Sequence, residues 1–97
     1  MTTPLSLVPQ ERPDGTRLLA ASGEIDMSNA PALAKALEET SDRITLDLTA
    51  VEYLDSAGIA VLFDHAGHLE LVATPLLIPV LTVSGLGDLA TIREGRA

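Results

Sequence analysis

Hydrophobic and polar positions change period several times along this chain, and each change marks an element. Ile44-Thr45-Leu46-Asp47-Leu48-Thr49 alternates apolar with polar residues, the pattern of a strand with one buried face. Leu69, Leu71 and Ala73 line one face of another strand, with Glu70 and Thr74 on the other. Leu5, Leu7 and Val8 predict a short first strand, which Pro4 and Pro9 mark as an edge. Pro13-Asp14-Gly15-Thr16 is a turn, because proline presets φ and glycine tolerates φ > 0. Arg17 to Ser22 returns as a second strand, giving a hairpin, and Gly23-Glu24-Ile25-Asp26 ends it.

Helical spacing takes over between the strands. Ala30, Leu33, Ala34 and Leu37 form an apolar stripe opposite Lys35, Glu38 and Glu39, so a surface helix runs to about Ser41. Ser28 or Asn29 can cap it, and Pro31 suits its first turn. A second helix is expected over Ala57 to Ala66, with Gly67 where a helix C-terminal glycine belongs. Thr74-Pro75 opens a third and Ser84-Gly85 closes it. Pro79 falls inside that helix, where proline costs about 3 kcal/mol, so a bend or a late start is expected. Leu89 to Arg93 supplies a last short strand.

The order is β-β-α-β-α-β-α-β. Strand–helix–strand units give right-handed crossovers and parallel pairing. The expected fold is α/β: a mixed, mostly parallel sheet of four to five strands with an N-terminal hairpin edge and three helices, in one domain over residues 1–97.

Composition narrows the functional classes. With two aromatic residues, Tyr53 and Phe63, the core must be built from Leu, Val, Ile and Ala. No apolar run approaches the ~18 residues of a membrane span. The N-terminus is not signal-like, and there is no cysteine, so a cytoplasmic protein without a disulfide framework is expected. The formal charge of −8 argues against nucleic acid, since six scattered basic residues cannot build a face that replaces counterions on phosphates. It suits a protein partner carrying basic residues.

Asp55-Ser56-Ala57-Gly58 joins the Ile44 strand to the second helix and is the chain's main chemical candidate. A hydroxyl there stands at the positive end of a helix, where it can cap, attack or accept a phosphate. Nucleophilic catalysis needs a base within reach, and the surroundings are not the G-x-S-x-G elbow of a hydrolase. His65 and His68 are the only histidines, and His65 lies about 13 Å along the same helix at ~1.5 Å per residue. As a metal pair they lack further ligands, and a solvated pair at a helix end is the plainer account. Asp26 and Asp55 are placed for capping rather than for paired-carboxylate chemistry. Gly85 and Gly87 follow a helix instead of starting one, so there is no phosphate cradle. No catalytic residue, metal or cofactor is expected. Capping and phosphate acceptance both remain open for Ser56.

Four segments in order change the weighting. They are Gly23-Glu24-Ile25-Asp26, Ile44-Thr45-Leu46-Asp47-Leu48-Thr49, Asp55-Ser56-Ala57-Gly58-Ile59 and Val80-Leu81-Thr82-Val83-Ser84-Gly85-Leu86. Together they resemble the STAS domain of bacterial anti-sigma-factor antagonists, from about Leu5 to Ile92. The resemblance implies partner switching. The unphosphorylated antagonist binds an anti-sigma factor with a GHKL-type ATP-binding kinase fold, freeing a sigma factor for transcription. The partner then phosphorylates the serine matching Ser56, the complex dissociates, and a separate phosphatase resets the switch. Asp26 matches a family carboxylate beside that serine. The implied partner-binding set is Asp26, Asp55, Ser56, Ala57, Gly58 and Ile59. A STAS module regulating a transporter or a signalling scaffold, without a phosphorylation switch, is the alternative.

A phosphate adds about −1.5 to −2 charge, which a helix N-terminus tolerates, so phosphorylation should leave the fold intact and act by repulsion and bulk. Three departures from the family pattern stand out. Ala57 replaces a second hydroxyl, leaving Ser56 as the only acceptor. The second helix is about two charged turns short, and its remainder, Ala57 to Phe63, is apolar nearly all round. The third helix, Leu76-Leu77-Ile78-Pro79-Val80-Leu81, carries no charge. Such helices either fill a well-buried core or expose an apolar patch for a partner or a homodimer, the latter requiring that Phe63 and Leu77 not both be fully buried.

Overall fold

The computed structural model describes residues 3–39 and 42–96. Five strands and three helices occur in the order β1 (Ser6–Glu11), β2 (Arg17–Ile25), α1 (Ala30–Glu38), β3 (Ile44–Leu54), α2 (Ser56–Asp64), β4 (Leu69–Ala73), α3 (Ile78–Val83) and β5 (Thr91–Glu94). They form one sheet in the order β1-β2-β3-β4-β5. Only β1 runs antiparallel to its neighbour; the other pairs are parallel. This is the mixed, mostly parallel α/β sheet with a hairpin edge that the hydropathy pattern predicts.

The hairpin closes at Pro13–Thr16 as expected. Gly15 takes φ +88°, the Arg12 N–H donates to the Thr16 carbonyl at 2.9 Å, and the Asp14 carboxylate accepts from the Thr16 N–H and hydroxyl. Pro9 is tolerated within β1 because that strand has a neighbour on one side only.

Each helix makes one crossover, and all three pack on the same sheet face. Leu33 and Leu37 of α1, Leu62 of α2 and Leu81 of α3 join Leu19, Ala21, Ile25, Leu46, Leu69, Leu71 and Ala73 of the strands in a continuous core. The alternate strand residues (Leu18, Ala20 and Ser22 on β2; Glu70 and Val72 on β4) line the opposite face and stay half-buried. Arg93 and Glu70 form an ion pair at 2.6 Å. Leu, Ile, Val and Ala side chains supply the buried cluster, in keeping with the scarcity of aromatics.

Several boundaries differ from the sequence expectation. β2 does not end at Ser22 but continues through Gly23 to Ile25, and β3 extends five residues beyond Thr49. Register shifts between Ala20 and Ser22 and again between Gly23 and Glu24 explain this. Each inserts an extra β3 residue, which breaks strict alternation while the pairing continues. α1 ends at Glu38; the expected end near Ser41 lies outside the described residues. α2 begins one residue earlier than expected and ends at Asp64, followed by a 3-10 turn over Ala66–His68. Gly67 is therefore not a left-handed cap; positive φ among the described glycines belongs to Gly15, Gly23 and Gly85. Gly85, with φ +91°, closes α3 as predicted. α3 starts late, at Ile78, which places Pro79 in the first turn, where its missing N–H leaves no bond unmade.

Candidate functional site

Because β2, β3 and β4 are parallel, their carboxyl ends point the same way. The ends of β2 and β3 are level, Ile25 pairing with Leu54, so the segments 26–29 and 55–56 emerge together, at the edge where open α/β sheets commonly bind; β4 stops level with about Leu48.

Ser56 is the first residue of α2, not a loop residue, and its side chain is exposed. Its hydroxyl makes no hydrogen bond to another described residue. The cap is Asp55, which is extended (φ −96°, ψ −176°). Its Oδ1 accepts from the N–H groups of Ala57 at 2.9 Å and Gly58 at 3.2 Å. The capping role that the sequence left open for Ser56 thus falls to its neighbour, whose charge suits the helix dipole better than a hydroxyl. The Asp55 N–H donates to the Ile25 carbonyl at 3.1 Å, tying the head of α2 to the end of β2. Gly58 makes this contact close: a Cβ there would lie 2.5 Å from Leu54 Cδ1 and 2.7 Å from Ile25 Cγ2. Ala57 and Ile59 are half-buried beside it, and Ile59 packs against the core.

Asp26 stands on the adjacent loop, directly after Ile25. Its carboxylate accepts from the Ser28 N–H at 2.9 Å and from the Ser28 hydroxyl. These two hydrogen bonds, the hydroxyl's first, hold the carboxyl below its ordinary value of 3.8. Asn29 occupies the N-cap position of α1 but makes no capping bond. Its side chain reaches backwards instead, accepting from the Asp26 N–H at 3.0 Å and donating to the Glu24 carbonyl at 2.9 Å. The loop is thus fixed by its own side chains, and Asp26 is held beside the head of α2 by the Ile25–Asp55 and Ile25–Gly58 contacts. The Asp-x-Ser-Asn run carries an Asx-turn signature that could have given this lock from sequence. The N-terminal segment adds to the corner. Gly23 (φ +92°) leaves no room for a Cβ against the Pro4 carbonyl, and the Glu24 N–H donates to the Thr3 carbonyl at 3.1 Å.

Electrostatically this corner is one-signed. Glu24, Asp26, Glu52 and Asp55 all fall on the ends of β2 and β3 or just beyond, while Arg17 and Arg43 stand at the opposite ends of those strands. A phosphate on Ser56 would meet two α2 N–H groups already engaged by Asp55. The helix dipole still favours it, but the carboxylate already seated there does not.

The histidines lie at the far end of α2. His65 follows its last residue, with Nδ1 hydrogen-bonded to the Val61 carbonyl at 3.0 Å. His68 packs edge-on against it, with ring centroids 5.7 Å apart. The expected solvated pair is in fact half-buried, and His68 Nε2 is buried without a partner among the described residues. Among the described residues no three His, Asp or Glu side chains converge as metal ligands would, and no helix is long and apolar enough to cross a membrane.

Three helices on one face of a mixed sheet, with a serine heading the second helix, define a STAS-type domain. A family model described as "Mlab, STAS domain" matches residues 9–92, and the chain belongs to that family. No curated protein matches it. Among solved structures, an anti-sigma factor antagonist from Mycobacterium paratuberculosis superposes with a TM-score of 0.83 at 26% identity, over 96% of this chain and 90% of that one. A Thermotoga maritima protein provisionally assigned the same role gives 0.72 at 19% identity, over 92% and 86%. The anti-sigma factor antagonist SpoIIAA, in its unphosphorylated form, gives 0.68 at 17% identity, over 93% and 88%. The last two likenesses speak for the fold alone.

Proposed function

We propose that this chain is an anti-sigma factor antagonist controlled at Ser56. Unphosphorylated, it binds an anti-sigma factor with a GHKL-type kinase fold through Asp26, Asp55, Ser56, Ala57, Gly58 and Ile59, and so frees a sigma factor. Phosphorylation by that partner ends the complex. The chain then serves as ligand and substrate, not as catalyst.

The observation that carries this reading is the exposed Ser56 hydroxyl, without a hydrogen bond among the described residues, at the level carboxyl ends of β2 and β3. It occurs in a chain 26% identical to an anti-sigma factor antagonist over 96% of its length. In the transfer step the Ser56 oxygen attacks the γ-phosphorus of the partner's ATP, ADP leaves, and the hydroxyl proton passes to the partner or to solvent. The product carries about −1.5 to −2 charge next to Asp55 and close to Asp26. A partner surface that had paired with those carboxylates then faces excess negative charge and added bulk. The Asp55 cap and the Gly58 contact do not involve the Ser56 hydroxyl, so the fold need not change for the surface to change.

Purified GHKL-type anti-sigma factors of the source genome provide the test, with affinity measured by calorimetry. Wild type and Ser56→Ala should bind one of them alike, and Ser56→Asp should lose at least tenfold in affinity while keeping the wild-type circular dichroism spectrum. A Ser56→Asp protein that unfolds, or that binds at full strength, contradicts the proposal. Binding of the wild type with no phosphate transfer would place the chain with STAS modules that lack the switch.

A further inference from the structure

The side-chain donors of loop 26–29 and the N–H groups behind Ser56 already have acceptors. Asp55 Oδ1 accepts from the Ala57 and Gly58 N–H groups, and the Ile59 N–H donates to the Asp55 carbonyl at 3.0 Å. On the adjacent loop, the Ser28 N–H and hydroxyl both serve the Asp26 carboxylate. The Asn29 amide donates to the Glu24 carbonyl. Tyr53 pairs with Glu24 and precedes buried Leu54, so its hydroxyl stands on the opposite face of the sheet from α2.

Cations are remote as well. Arg12 and Arg17 lie at the hairpin turn, Lys35 in the last turn of α1, and Arg43 before β3. Arg93 pairs with Glu70, and Arg96 with Glu94 at 3.6 Å. Gly95, next to Arg96, lies against Thr49, five residues short of Leu54 and about 16 Å from it along β3. None of these six basic residues stands at the level ends of β2 and β3.

Asp55 decides what a phosphate on Ser56 meets. Its backbone is pinned on both sides, by its N–H to the Ile25 carbonyl at 3.1 Å and by the Ile59 bond. The carboxylate is therefore preorganised on its two N–H groups. A phosphate that took them would leave that carboxylate charged and unbonded, among Glu24, Asp26 and Glu52.

We infer that Asp55 is a positioning residue for the modified state: it keeps the Ser56 phosphate off the Ala57 and Gly58 N–H groups and turned outward. This rests on the reading of Ser56 as the phosphate acceptor. A phosphate seated on the helix has part of its charge offset by the dipole. Held off the helix, the added charge faces whatever docks at Ser56, which is what a switch working by repulsion requires.

The full chain with phosphoserine installed at position 56 during synthesis tests this without a partner. In ³¹P NMR the second ionisation of the phosphate should fall at or above its ordinary value of about 6, and the Ala57 and Gly58 amide signals should not move with it. Asp55→Asn keeps a capping oxygen and removes the charge, so the midpoint should fall while both amides stay still. Asp55→Ala empties the seat. Its midpoint should drop by about half a unit or more, both amides should titrate with the phosphate, and phosphorylation should raise its Tm. In the wild type phosphorylation should not raise Tm.

Wild-type amides that titrate with the phosphate, at a midpoint below about 6, would show that it has displaced Asp55 and would overturn the inference. So would an Asp55→Ala protein that matches the wild type. An Asp55→Asn midpoint equal to that of the wild type overturns it too, whether or not Asp55→Ala folds. None of these results touches the antagonist reading. If no anti-sigma factor transfers phosphate to Ser56, that reading fails, while the titration still decides where the phosphate sits.

Discussion

Ser56 and Asp55 divide two tasks that either residue type could perform. The carboxylate takes the two N–H groups at the head of α2, which leaves the hydroxyl free and turned to solvent. From the sequence, a Ser directly after an Asp at a helix start leaves the capping residue ambiguous, because both are good caps. The ambiguity ends once β3 runs through Leu54 and the helix starts at Ser56. Asp55→Ala should therefore destabilise the protein by about 1 kcal/mol, lowering Tm by roughly 4–8 °C, as calorimetry would register. An unchanged Tm would mean that Asp55 is not the cap. Asp26 shows its lock differently. The Ser28 hydroxyl and N–H stabilise its charged form, so its carboxyl titrates below 3.8 in the folded protein. A group depressed in this way contributes stability that is present above 3.8 and lost as pH falls through the folded-state value. Ser28→Ala should move the Asp26 titration up towards 3.8 in an NMR pH series and weaken that acid dependence. An unmoved Asp26 would show that the hydroxyl is not what holds it down.

At the scale of elements, the head of α2 is positioned by contact with the ends of β2 and β3. A Cβ on Gly58 would press on Leu54 and on the fully buried Ile25. Alanine is the better helix former by about 1 kcal/mol, but overpacking a buried contact costs about 1–3 kcal/mol. Gly58→Ala should thus be net destabilising by roughly 1 kcal/mol in urea unfolding, and a stabilised protein would contradict the close packing. Strand and helix identities were legible because the apolar periods were clear in Ile44–Thr49, Leu69–Ala73 and Ala30–Leu37. The late start of α3 was legible too, since Pro79 leaves few other choices. The extension of β3 was not. Two register shifts put Leu48, Val51 and Leu54 in the core at a three-residue spacing, which no strand rule reads as strand. The Gly67 expectation failed because α2 gives way to a 3-10 turn that needs no left-handed residue.

At the scale of the whole molecule, strand–helix alternation was enough to give the mostly parallel pairing, whereas the strand order β1-β2-β3-β4-β5 comes from the structure and the nearness of Asp26 to Ser56 was implied by the resemblance alone. What the sequence left undecided was how the apolar surplus of α2 and α3 is shared. Leu77 is buried, Phe63 is half-buried, and Leu76 and Val83 are exposed, so the surplus is divided between core and surface. A one-dimensional pattern with apolar residues on both helix faces cannot say which face the sheet receives. The central claim is that this molecule changes its surface, not its fold, when Ser56 is phosphorylated. The direct test is to incubate the purified chain with ATP and the GHKL-type anti-sigma factor that binds it. Intact mass, peptide mapping and complex content are then followed over time. One phosphate on Ser56, appearing together with release of a chain that retains its circular dichroism spectrum, is the predicted result. Phosphate elsewhere, release without phosphate, or release with unfolding would contradict it.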